Sequence, residues 1–93
     1  MPRKSVPRVV GPLLRDLRTA RRLSQEALAS RAGLHRTYIG LLERSLRDPT
    51  AGVLSALLDA LGVSWGEFGA QLDERRREAS PLPREGAQAV KRV

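Results

Sequence analysis

The 93-residue chain contains no cysteine. That excludes disulfides, thiolate zinc sites and cysteine nucleophiles. A single histidine, His35, is too little for a hydrolytic zinc centre built on several imidazoles. Aromatic residues make up 3 % of the chain, one Phe, one Trp and one Tyr. A base-stacking platform needs aromatics interleaved with basic side chains, and that pattern is missing. Trp65 and Phe68 therefore read as core or subunit-interface residues. No apolar run approaches the roughly 18 residues of a membrane-spanning helix. The start, MPRKSVPRVVGP, has basic residues but lacks the apolar stretch of a signal peptide. There is no phosphate-cradling glycine loop and no carboxylate pair in a plausible pocket. The expectation is no catalytic residue, no metal site, no cofactor and no enzymatic activity.

What is present is aliphatic and basic. The apolar fraction is 41 %, and with so few aromatics the core must rest on Leu and Ala, a composition that favours helices over sheets. A chain this short buries only about 60 % of the surface its unfolded form exposes, so a second subunit is the stabilising device left available. Lys and Arg total 17 against 10 acids, a formal charge of +7. A bias of this size suits a polyanion, nucleic acid being the commonest, with an anionic membrane surface as the competitor. The excess sits in residues 1–11 and 12–63, +3 in each, and only +1 in 64–93, so it is not a basic amphipathic tail. Arg outnumbers Lys 15 to 2, which suits planar, bidentate contacts to phosphate and guanine.

Along the chain, residues 1–11 read as a flexible basic arm, with Arg3, Lys4 and Arg8 available to a minor groove or to adjacent phosphates, a solvated basic tail being the competing reading. A first helix is predicted from Pro12, a residue tolerated at a first helical position, to about Arg22-Leu23, with Leu13, Leu14 and Leu17 at helical spacing. Ser24 is a strong N-cap for a short second helix, which Gly33 ends. Leu34 enters the core, and His35 starts a third helix through about Arg44. A loop with Asp48-Pro49 follows. Val53, Leu54, Leu57, Leu58 and Leu61 mark a fourth helix over 51–61, stopped by Gly62. Ser64-Trp65-Gly66-Glu67 fits a capping box opening a fifth helix to about Arg77. Residues 78–93 read as a disordered tail. The fold class is thus all-α, five helices over 12–77.

Two short helices joined around a glycine form a helix-turn-helix signature, here over 24–44 with its turn at Ala32-Gly33-Leu34. At 100° per residue, Tyr38, Ile39 and Leu42 share one face of the third helix, and Arg36, Thr37, Gly40, Leu41 and Arg44 share the other. The second face is basic, polar and small near its start, a shape that fits a major groove about 12 Å wide. Arg36 suits guanine; Thr37 suits a thymine methyl or a phosphate. A plain solvated face is the competing reading, and Leu41 argues against it, since it has no reason to face water.

The stretch from Leu14 to Phe68 resembles the Cro/C1-type (Xre) helix-turn-helix family, the lambda-repressor-like fold, a likeness covering about residues 12–68. Its landmarks here are the Ser-Gln opening the second helix, Leu28-Ala29, Gly33, Ile39, Glu43-Arg44, Pro49 and Leu61-Gly62-Val63. GLHRTYIG followed by ER…R…P most resembles restriction–modification controller proteins. The resemblance implies that Gln25 meets a phosphate, that Arg36 and Thr37 read bases, and that Tyr38 lies against the DNA backbone. It implies that Arg44 and Arg47 hold phosphate or a base edge, that His35 caps the recognition helix, and that Glu43 pairs with Arg18 to tie the first helix to the third. Gly40 and Leu41 complete the expected DNA face. Two positions depart from the family pattern: Ser45 stands where Gly is usual, and Leu41 where a polar residue often is. The expected activity is a cytoplasmic, nucleoid-associated, sequence-specific transcriptional regulator on double-stranded DNA. It would bind a pseudo-palindromic operator as a homodimer, with RNA polymerase or another protein as a further partner and no membrane association. Leu58, Trp65, Phe68 and Leu72 are candidates for the subunit contact. The alternative is an antitoxin or adaptor-type protein-interaction module on the same fold, its tail from Arg75 folding on binding.

Overall fold

The computed structural model describes residues 6–79, which form five helices in the order α1 (Val6–Ala20), α2 (Gln25–Ala32), α3 (Arg36–Glu43), α4 (Ala51–Leu61) and α5 (Trp65–Ala79). Local chemistry sets most boundaries. Ser24 Oγ accepts the Ala27 N–H (2.9 Å) at the start of α2, Thr50 Oγ1 accepts the Val53 N–H (3.1 Å) at α4, and Ser64 Oγ accepts the Glu67 N–H (3.0 Å) at α5. Each satisfies one of the N–H groups that a first turn leaves orphaned. Gly33 and Gly62 close α2 and α4 at φ 72°, a backbone geometry open to glycine without steric cost.

The first helix begins earlier than the sequence spacing suggested. It starts at Val6, not Pro12, so Pro12 lies inside it. Residues 6–11 are therefore helix and not arm, and 78–79, expected in the tail, belong to α5, while 1–5 and the rest of the expected tail, 80–93, lie outside the described residues. The reason is burial. Val9 and Val10 are 8 % and 3 % exposed, and Val10 continues the i, i+3, i+4, i+7 row of Leu13, Leu14 and Leu17. An interior proline costs about 3 kcal/mol. Burying two valines returns about 1.5–3 kcal/mol each, enough to offset it. Pro12 itself is exposed, so its ring displaces no packing.

The core is aliphatic as expected. Leu13, Leu14, Leu28, Ile39, Leu42, Leu57 and Leu58 are fully buried, and Tyr38, Leu34 and Leu72 lie half-buried against them. α2 packs on α3 and α4, while α1 packs on α3 and α5. Leu58 and Phe68, expected at a subunit contact, belong to this core at 1 % and 2 % exposure. In a chain with so few aromatics, the one Phe gains most from being inside. Trp65, by contrast, is 53 % exposed. No helix among the described residues is long and apolar enough to cross a membrane.

Candidate nucleic-acid interface

The third helix is oriented by the residues it hides. Ile39 and Leu42, one turn apart, are 1 % and 2 % exposed, which turns Arg36 and Thr37 outward to solvent. His35 lies at the N-cap in extended conformation, and its Nδ1 accepts the Thr37 N–H at 3.1 Å. The first turn of α3 is thus fixed without using the outward side chains.

Its far end is held by a buried ion pair. Glu43 is the one buried charged residue among those described, its side chain 4 % exposed. Arg18 of α1 grips it bidentately, Nε donating to Oε2 at 2.6 Å and an Nη to Oε1 at 2.9 Å, while the other Nη donates to the Leu23 carbonyl at 2.8 Å. The carboxylate hydrogen bond raises the Arg18 pKa against the opposing effect of burial. Gln25, the first residue of α2, donates from Nε2 to Glu43 Oε1 at 3.0 Å. One carboxylate therefore ties α1, α2 and α3 together, and among the described residues no buried side-chain polar atom is left without a partner.

Gln25, Arg36, Thr37, Gly40 and Arg44 line one open cleft of about 340 Å³ between α2 and the outward face of α3. Its walls offer two guanidinium groups, an amide and a hydroxyl, and no carboxylate. Arg44 is exposed, with Nε donating back to the Gly40 carbonyl at 3.2 Å. The remaining expected residues do not line the cleft. His35 is exposed, Leu41 is half-buried, and Tyr38 is half-buried against the core with the exposed Arg47 guanidinium 6.0 Å from its ring centre. The last contact falls in cation–π range. Five of the nine expected residues share the cleft, and four do not.

Two features of the site escaped the sequence. The Gln25–Glu43 bond joins residues 18 apart on different helices, and no local pattern encodes that. The Tyr38–Arg47 stack crosses from helix to loop and is equally non-local. Ser45, where the family pattern has Gly, adopts φ 62°. The helix still closes with the two usual bonds, Ser45 N–H to the Leu42 carbonyl (3.0 Å) and Leu46 N–H to the Leu41 carbonyl (2.9 Å). The unusual residue leaves the ending of α3 unchanged and adds backbone strain.

A short capped pair of helices around a left-handed glycine, with the second helix presenting a basic face, defines a helix-turn-helix domain. The family profile described as Helix-turn-helix matches residues 14–68. The chain belongs to the helix-turn-helix family of Cro/C1 type. Among curated relatives it is similar to control protein C.SmaI of Serratia marcescens, 42 % identical over 59 residues, which is 63 % of this chain and 70 % of that protein. It is also similar to the uncharacterized HTH-type transcriptional regulator y4dJ of Sinorhizobium fredii, 39 % identical over 72 % of this chain and 87 % of that one. Among solved structures it is similar to the restriction–modification controller protein C.AhdI of Aeromonas hydrophila, 40 % identical with a TM-score of 0.64 over 67 % of this chain and 94 % of that chain. A tetramer of controller protein C.Esp1396I, solved in complex with its natural 35 base-pair operator, matches with a TM-score of 0.73 at 29 % identity, covering 77 % of this chain and 95 % of that one.

Proposed function

We propose that this chain is a sequence-specific, double-stranded-DNA-binding transcriptional regulator that acts as a homodimer on a pseudo-palindromic operator. The observation that carries the reading is the acid-free, Arg-lined cleft along the outward face of α3, on a helix locked at both ends. Arg36 and Thr37 read base edges in the major groove, where Arg meets guanine O6 and N7 as a fork. Gln25, Arg44 and Arg47 hold phosphates, and Tyr38, steadied by Arg47, rests on the DNA backbone. His35 and Gly40 let the helix approach closely, and Leu41 meets a thymine methyl. Phosphate contacts supply affinity and base contacts supply choice. A single module reads too few base pairs for one genomic site, so two copies about 34 Å apart on one DNA face are required. Trp65, exposed on α5, lies between the two copies in this reading. The controller relatives, and the operator complex of C.Esp1396I in particular, support this assignment. A regulator of this kind works in the cytoplasm on the nucleoid and catalyses no reaction.

The test is selection of duplexes from random-sequence DNA, followed by titration of the wild type and Arg36→Ala. Arg36→Ala should lose about 1–3 kcal/mol on the selected duplex and little on a scrambled one. Equal loss on both duplexes contradicts base reading by Arg36. Failure to enrich any duplex, with a second small protein co-purifying instead, favours the protein-interaction module.

A further inference from the structure

Of the seven described glycines, six have a structural reason on view or, like Gly52 in α4, lie away from the cleft, and one does neither. Gly33 and Gly62 have positive φ, and a Cβ on Gly11 would overlap the Leu42 carbonyl oxygen. Gly66 and Gly69 are open but line no wall of the cleft. Gly40 sits in the middle of α3 with an ordinary backbone, and a Cβ there would meet nothing closer than the Gln25 amide oxygen at 3.8 Å and an Arg44 Nη at 3.9 Å. Those are ordinary van der Waals distances, so the fold would accept alanine at this position. A helix interior favours alanine over glycine. The sequence forgoes that gain at the one helical position forming the floor between Gln25, Arg36, Thr37 and Arg44.

We infer that Gly40 is a specificity-determining residue whose missing side chain lets a guanine edge sit flush on the α3 backbone. The inference rests on the DNA-binding reading of this cleft and names what the cleft receives. Two guanidinium groups border the floor, beside the Gln25 amide, whose Nε2 already donates to Glu43 and whose oxygen lies nearest Gly40. The guanidinium groups present donors, and the guanine major-groove edge presents the two acceptors O6 and N7. Arg44, already folded over Gly40 through its Nε bond to the Gly40 carbonyl, needs only to swing its free Nη groups toward the base or its phosphate. A methyl at position 40 would occupy the level at which that edge arrives. It would also fill the space beside both the Gln25 amide and the Arg44 guanidinium.

The experiment uses the full chain and duplexes that the wild type enriches from a random pool, with a scrambled duplex of equal length. Gly40→Ala should raise the thermal midpoint by roughly 3–6 °C. It should weaken binding to the enriched duplex at least tenfold and leave the scrambled duplex unchanged. Gly40→Ser, which adds a hydroxyl at the same place, should show the same loss. Replacing the guanines of the enriched duplex one at a time should reveal a position whose change costs the wild type tenfold and Gly40→Ala almost nothing. Undiminished binding of Gly40→Ala to the enriched duplex overturns the inference, as does a parallel loss on both duplexes. If the wild type enriches no duplex, the base-reading function itself fails, which is a separate result.

Discussion

The two sides of α3 are built to opposite ends. Toward α1 everything is filled: Gly11 presses against the Leu42 carbonyl, Ile39 and Leu42 are buried, and Glu43 is gripped through both carboxylate oxygens. Toward solvent the helix is left open, with Gly40 as floor and Arg36, Thr37 and Arg44 at the rim. The filled side fixes where the open side points. A contact that only tightens the seam should change stability, and a change on the cleft should change recognition while sparing the fold.

The strongest way to break that division is at the ion pair. Glu43→Ala leaves the Arg18 guanidinium, 11 % exposed, without its carboxylate and frees Gln25 from its orientation. Removing one partner of a buried pair costs about 3–5 kcal/mol, a large share of what so small a domain holds. Urea unfolding should show that loss, and DNA binding should fall with it because the cleft loses its wall. A loss under 1 kcal/mol would mean that the apolar seam orients α3 by itself. The Arg18 pKa is raised, so its share of the stabilisation is complete below the ordinary arginine value and lost only above the raised one. Near neutral pH the Arg18 end of the clamp does not titrate.

A second variant works on the solvent side of α1, with the opposite sign. Pro12 lies exposed inside α1, where it removes one backbone hydrogen bond. Pro12→Ala should restore that bond and stabilise the domain by roughly 1–2 kcal/mol, the full helix-interior cost being offset in part by the freedom alanine regains in the unfolded chain. Affinity for the selected duplex should stay where it was. Destabilisation would show that the proline sets a bend on which the Gly11–Leu42 contact depends.

The helices from 24 onward were legible because their signals are local: Ser24 and Ser64 as caps, Gly33 and Gly62 as stops, and the leucine row of α4. The start of α1 was misread because two local rules conflicted. Proline argued for a first turn, while the Val10-Leu13-Leu14-Leu17 row argued for a longer helix, and tertiary burial decided for the row. On the site, the periodicity of α3 assigned the outward face, since Arg36, Thr37 and Arg44 are exposed and Ile39 and Leu42 are not. The hold on Gln25 and the stacking of Arg47 on Tyr38 depend on how separate elements are brought together, and that is written only in the packing.

The smallest effect is also the sharpest control. Arg22, at the end of α1, is held at φ 57° by the Leu23 N–H bond to the Arg18 carbonyl (3.1 Å) and its own N–H bond to the Thr19 carbonyl (2.9 Å). A side-chain-bearing residue in this left-handed conformation costs about 1 kcal/mol, and glycine avoids that cost while losing more entropy on folding. Arg22→Gly should therefore stabilise by roughly 0.5 kcal/mol and shift the thermal midpoint by 2–4 °C. Ser45, at φ 62°, is a poorer choice for the same test, because its hydroxyl sits beside Gly11 on the seam. Arg22 belongs neither to the seam nor to the cleft, so its glycine variant should bind the selected duplex as the wild type does. Set beside Gly40→Ala, which should gain stability and lose recognition, it separates stiffness from shape. If both variants bind more weakly by the same factor, added stability explains the loss, and the empty floor of the cleft does not.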